Sequence, residues 1–118
     1  MNSIGKHIAS YKYGLRGVWF AFRYEPNMYV HLAAATGVVV VNYWLHVSRT
    51  EWLITLLLIG LAWMAEVFNT ALEKLADRVT QDHDPLIGQA KDLASGAVTI
   101  ICLFAIVCAL IIYLPYLV

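Results

Sequence analysis

The sequence has 118 residues, 61% of them hydrophobic and 14% charged, whereas soluble domains carry roughly 45–50% and ~25%. That excludes an ordinary water-soluble globule, and the length allows one domain, residues 1–118. Eight Lys and Arg balance eight Asp and Glu, so the basic footprint of a nucleic-acid binder is missing and no nucleic acid is expected as a partner.

In chain order, residues 6–24 read as an amphipathic surface helix. Ile8, Tyr11, Leu15, Val18, Trp19 and Phe22 form one arc, with Lys12, Arg16 and Arg23 in a strip beside it. This suits a helix lying in the membrane interface with its basic side chains snorkelling to phosphates. The segment lacks the early apolar stretch of a signal peptide and is expected to be retained. Pro26 disfavours helical geometry at Glu25, which predicts a bend that puts an acidic residue at headgroup depth.

Three spans follow, at about 29–46, 52–75 and 91–117, each able to supply the ~20 residues that a ~30 Å hydrocarbon core requires. Residues 78–89, with Asp82, Asp84, Pro85 and Gly88, read as a polar loop between the second and third spans. Cys102 and Cys108, six apart in the third, point to different faces of a helix and read as packing or lipid-facing residues. The fold class is therefore an all-α membrane protein: an N-terminal amphipathic surface helix plus three transmembrane helices. A soluble bundle is set aside because the polar residues are too few to cover it.

Lys6, Lys12, Arg16 and Arg23 precede the first span, and Lys74, Arg78 and Lys91 lie between the second and third. The opposite side offers only Arg49. The N-terminus and second loop are thus expected to be cytoplasmic.

The informative stretch is the end of the second span, Glu66-Val67-Phe68-Asn69-Thr70-Ala71-Leu72-Glu73-Lys74-Leu75-Ala76-Asp77. At ~100° per residue, Glu66, Asn69, Glu73 and Asp77 fall within one stripe. Counted from Trp52, Glu66 lies about 21 Å along a ~30 Å core, where a carboxylate is costly unless paired, protonated or in a wet cavity. Its bland reading is a structural carboxylate hydrogen-bonded to a neighbouring helix; for Glu73 and Asp77 alone, a solvated helix end would suffice. At the start of the third span, Asp92, Ser95 and Thr99 share a face with Lys91 beside them. Ala94, Gly96 and Ala97 there permit close helix approach.

Glu25, Glu66, Asn69, Glu73, Asp77, Lys91 and Asp92 thus converge on one side of the membrane. Carboxylates with an amide and a lysine suit a hard cation such as Mg²⁺ and a polyphosphate. The deeper Glu66 suits a general base acting on a lipid hydroxyl. The pattern suggests phosphoryl transfer from a soluble nucleotide to a membrane alcohol without a Gly-rich phosphate loop. His7, His31 and His46 share no ligand spacing and read as interfacial, with no zinc site, and His83 reads as a solvated loop residue.

The run Glu66-x-x-Asn69-Thr70-Ala71-Leu72-Glu73-x-x-x-Asp77, followed by Ala90-Lys91-Asp92 and Ser95-Gly96-Ala97-Val98, resembles the signature of the small prokaryotic diacylglycerol kinases and related undecaprenol kinases. The likeness covers nearly the whole chain. It implies an ATP- and Mg²⁺-dependent lipid kinase of the bacterial cytoplasmic (inner) membrane, homotrimeric, with sites between subunits. By the same resemblance Glu66 would be the catalytic base, and Glu25 with Glu73 would hold the metal. Asn69 and Asp77 would line the nucleotide site, Lys91 and Asp92 would contact it, Tyr13 would pack against it, and Lys6 would lie near the phosphates. Some members carry a basic residue where Gln89 stands.

Arg23-Tyr24-Glu25-Pro26-Asn27-Met28-Tyr29-Val30-His31 is similar to the R/K-x-E-x-N-x-x-x-H stretch of the undecaprenol-kinase branch, while the core is shared by both branches. The acceptor stays open between diacylglycerol, giving phosphatidic acid, and undecaprenol, giving undecaprenyl phosphate. The rival class is a non-catalytic scaffold or an ion or proton pathway. A pathway needs polar residues across the full depth, and the outer halves of the spans have almost none.

Overall fold

The computed structural model describes residues 2–118. Four helices follow in order: α1 (Ser3–Tyr24), α2 (Pro26–Leu45), α3 (Arg49–Val79) and α4 (Pro85–Leu117). The last three are long and apolar enough to cross a membrane.

Each boundary has a local cause. Asn2 caps α1, its Oδ1 accepting from the Gly5 N–H at 2.7 Å. Glu25 takes an extended conformation (φ −101°, ψ 111°), as expected before a proline, and Pro26 starts α2 at a position where its missing N–H costs nothing. His46 ends α2 in the left-handed region at φ 52°. Ser48 and Glu51 then form a reciprocal capping box at the start of α3.

Two boundaries correct the sequence expectation. The second span continues as helix to Val79, and α4 begins at Pro85, so the loop covers residues 80–84 rather than 78–89. Asp84 Oδ1 caps α4, accepting from the N–H groups of Leu86 and Ile87 at 2.9 and 3.2 Å. Asp-Pro is thus an N-cap followed by a first-turn proline, a helix start rather than a loop. Lys91 and Asp92 consequently lie almost two turns inside α4.

The 31 residues of α3 and 33 of α4 span about 46 and 50 Å, and the 20 of α2 about 30 Å. α3 and α4 pack as a long antiparallel pair. Both run on beyond the first turn of α2, at the end of the bundle where α1 joins. α1 touches the rest only near its C-terminus: Ala21 is its one buried residue, and Phe22 meets Trp63 of α3 edge to face at 5.0 Å. The molecule is accordingly flat, 52 × 43 × 22 Å.

Buried side chains include Asn42, Thr55, Glu66, Asn69 and Thr70 beside six apolar ones. These five polar groups turn towards protein because hydrocarbon offers them no partner, while the exposed Thr36 and Thr99 hydroxyls donate to carbonyls of their own helices. Two polar centres result. One, at the far end, links Asn42, Thr55 and Tyr113; the other surrounds Glu66 at the α1 end.

Candidate active site

Glu66 sits where α3 passes the first turns of α2, and it is 3% exposed. Asn27 and His31, four residues apart and therefore on one face of α2, both meet its carboxylate. Asn27 Nδ2 donates to Oε1 at 3.2 Å, and His31 Nε2 stands 3.5 Å from Oε2. A buried carboxylate needs such donors to offset its lost hydration. Trp63, three residues earlier on α3, donates from Nε1 to the His31 carbonyl at 3.4 Å. Since the same indole packs against Phe22, Trp63, midway along α3, joins the C-terminal end of α1 and the N-terminal end of α2 just beside Glu66.

The elbow places Glu25 next to α3. As the N-cap of α2 it makes no side-chain cap hydrogen bond. Its Oε1 instead lies 3.6 Å from Lys74 Nζ. Glu25 and Lys74 line an open cleft of about 470 Å³ between α1 and α3, together with Tyr24, Thr70 and Ala71.

Farther along α3, Lys91 Nζ of α4 donates to Asp77 Oδ1 at 2.6 Å. The acidic stripe therefore meets two different neighbours: Glu66 faces α2, and Asp77 reaches α4. The reason is length, since α3 outruns α2 at this end whereas α4 continues alongside it.

Asn69 is 8% exposed, and its Oδ1 is a buried acceptor without a hydrogen-bond partner among the described residues. Glu73 and Asp92 are exposed, and among the described residues neither side chain forms a hydrogen bond or ion pair. Asp92 borders a shallow groove on α4 with Gln89, Leu93, Gly96 and Ala97. Lys6 and Tyr13 lie on the exposed part of α1, where the Arg16 guanidinium stands 5.3 Å from the centre of the Tyr13 ring. The chain thus joins Glu66, Glu25 and Asp77 to partners around α3, while Lys6 and Tyr13 remain apart. A Cβ added at Gly96 would meet nothing within 4 Å among the described residues, so Gly96 itself makes no close helix approach there.

The donor chemistry fits a hard divalent cation. Glu25 and Glu73 offer carboxylate oxygens, and Asn69 Oδ1 is an amide oxygen with no donor of its own. Among the described residues no group of three or more His, Cys, Asp and Glu could hold a metal. Mg²⁺ is commonly held by one or two carboxylates plus the phosphate oxygens of a substrate, and the Glu25 and Glu73 carboxylates are of that donor type.

Sequence reasoning missed Asn27, Trp63 and Lys74 as site residues and read His31 as interfacial; the structure sets His31 against the buried carboxylate instead. The available signal was the four-residue spacing of Asn27 and His31, given that an intramembrane carboxylate requires donors from a neighbouring helix.

Three helices long and apolar enough to span a membrane, with a buried carboxylate flanked by acidic and basic pairs at one end of their bundle, define an integral membrane protein with a polar site. The model of the prokaryotic diacylglycerol kinase family matches residues 12–113. The chain is 37% identical over 114 residues to an undecaprenol kinase of Bacillus subtilis (strain 168), covering 97% of this chain and 93% of that one. It is 33% identical over 97 residues to a diacylglycerol kinase of Escherichia coli (strain K12), with 80% and 75% covered. The chain belongs to the prokaryotic diacylglycerol kinase family. It is a lipid kinase, a membrane phosphotransferase that takes ATP and a lipid alcohol.

Proposed function

We propose that the acceptor is undecaprenol and the product undecaprenyl phosphate. One observation carries this reading: Asn27 and His31, which meet the Glu66 carboxylate, belong to the stretch that resembles the undecaprenol-kinase branch. The near full-length likeness to the Bacillus subtilis undecaprenol kinase supports it. Diacylglycerol is the second reading, favoured by the likeness to the Escherichia coli diacylglycerol kinase.

In the proposed reaction Glu66 removes the proton of the lipid hydroxyl as its oxygen attacks the γ-phosphorus of ATP. The new O–P bond forms while the bond to the β-phosphate oxygen breaks, releasing ADP; the proton stays on Glu66 until it returns to solvent. Lys91 holds the triphosphate, and Asn69, Asp77, Asp92, Tyr13 and Lys6 line the nucleotide site. Glu25 and Glu73 would hold Mg²⁺, which neutralises phosphate charge when bound. Positioning and charge neutralisation supply most of the acceleration.

The working assembly in this reading is a homotrimer in a bacterial cytoplasmic membrane, with the N-terminus and the 80–84 loop in the cytoplasm. A neighbouring copy supplies the closure that one chain lacks, since Lys6 and Tyr13 share no hydrogen bond or ion pair with the α3–α4 groups among the described residues.

The test is purified protein with labelled ATP and parallel vesicles containing undecaprenol or diacylglycerol. Label is expected in undecaprenyl phosphate; label confined to phosphatidic acid overturns the acceptor. Glu66→Gln is expected to abolish turnover while ATP binding and assembly persist, and normal turnover in that variant removes Glu66 as the base.

A further inference from the structure

Glu66 projects from a long helix, and among the described residues no side chain of α3 orients its carboxylate. Both oxygens are met from α2 instead. Asn27 holds Oε1 at 3.2 Å, and His31 Nε2 stands at 3.5 Å from Oε2, longer than an ordinary hydrogen bond. Contacts of catalytic groups in ligand-free proteins are often long and tighten when substrate binds. The backbone of His31 is tied to α3 separately, through Trp63 Nε1, so the imidazole is not what holds the two helices together here. Its side chain is 15% exposed and also lines an apolar cleft of about 250 Å³ among α2, α3 and α4, beside Ala35, Ala62 and Cys102. The imidazole is therefore shared between the carboxylate and the apolar interior.

We infer that His31 is a positioning residue for catalysis: with Oε1 on Asn27, its Nε2 holds Oε2 and fixes the plane of the Glu66 carboxylate, so that a free lone pair faces the incoming hydroxyl. The inference rests on the proposed reading of Glu66 as the base and adds what orients it. A carboxylate held at one oxygen rotates about its last bond, and misplacing a catalytic group by about 1 Å costs roughly 100-fold in rate. A merely structural His31 would instead satisfy a buried charge, and its loss would be felt in folding and assembly.

The experiment compares full-length His31→Leu, His31→Gln and Glu66→Gln in phosphatidylglycerol vesicles containing both undecaprenol and diacylglycerol. It reads kcat, KM for ATP and the size of the assembly in detergent. His31→Leu is expected to lower kcat by about 10- to 100-fold with the ATP KM and assembly size unchanged, because nucleotide contacts are not involved. His31→Gln is expected to recover most of the rate, since its amide nitrogen takes the place of Nε2. Wild-type kcat in His31→Leu, or a His31→Gln variant as slow as His31→Leu, overturns the inference. Should His31→Leu fail to fold, His31→Asn serves: its shorter amide cannot reach Oε2, so slow turnover supports the inference and wild-type turnover overturns it. Glu66→Gln keeps the two claims separate. Normal turnover there removes the base itself, whereas abolished turnover beside an unaffected His31→Leu removes only the positioning role.

Discussion

The Tyr113 hydroxyl of α4 donates to Oδ1 of Asn42 on α2 at 2.5 Å, joining two helices that pack mainly against α3 rather than against each other. Asn42 is fully buried, and its Nδ2 donates to Thr55 Oγ1 of α3 at 2.9 Å. One amide thus pins all three spans at the end opposite Glu66. Nearby, the Tyr116 hydroxyl donates to Glu51 in the α3 capping box.

Asn42→Ala should therefore destabilise the fold while leaving the chemistry of the folded fraction intact. Interhelical hydrogen bonds in membranes are worth about 0.6 kcal/mol on average and about 1.7 at most, so a loss of about 1–2 kcal/mol is expected in denaturant titrations in micelles. Combining it with Tyr113→Phe should cost less than the sum of the two, because they share one bond. Strict additivity would show that the bond contributes nothing.

Lys91 and Asp77 form an exposed ion pair, and exposed pairs add little to stability. Lys91→Ala is expected to leave the thermal midpoint unchanged yet to raise the KM for ATP by more than about tenfold, since it removes a charge from the triphosphate. Steady-state kinetics at saturating lipid decide this; an unchanged KM would assign Lys91 to the Asp77 pair alone.

Chelating divalent cations with EDTA is expected to stop phosphorylation and added Mg²⁺ to restore it. Glu73→Gln, which removes a carboxylate without a hydrogen-bond or ion-pair partner among the described residues, should shift the Mg²⁺ activation midpoint upward by about tenfold or more. Activity titrated against free Mg²⁺ measures the shift. A midpoint identical to wild type would take Glu73 out of the metal set.

The orientation can be checked with single cysteines in a background where Cys102 and Cys108 are alanine. Asp82→Cys should react with a membrane-impermeant thiol reagent only in inverted vesicles, and Arg49→Cys only in right-side-out ones. The opposite pattern would reverse the topology.

Much of the site can be read along the chain because a carboxylate in an apolar run is conspicuous. Glu66 stands out for that reason, and helical periodicity puts Asn69, Glu73 and Asp77 on its face. The same reasoning cannot say which neighbour each residue meets. That depends on helix lengths and crossings: α2 starts beside Glu66, and α4 continues beside Asp77. The start of α4 is hidden for a different reason. Asp84, Pro85 and Gly88 are turn-forming residues by type, but the first two cap and open a helix, and Gly88 is carried within it.

Composition and hydropathy by themselves determine the medium, the three spans and the surface helix, because burying so many apolar residues requires lipid whatever the details of packing. The residue pattern on α3 likewise determines the family resemblance. Only the tertiary structure decides that His31 and Asn27 attend Glu66, that Lys74 pairs with Glu25, and that Asn42 holds the far end together. Those pairs join residues distant in sequence, and their contact depends on how three helices pack, which local periodicity does not contain.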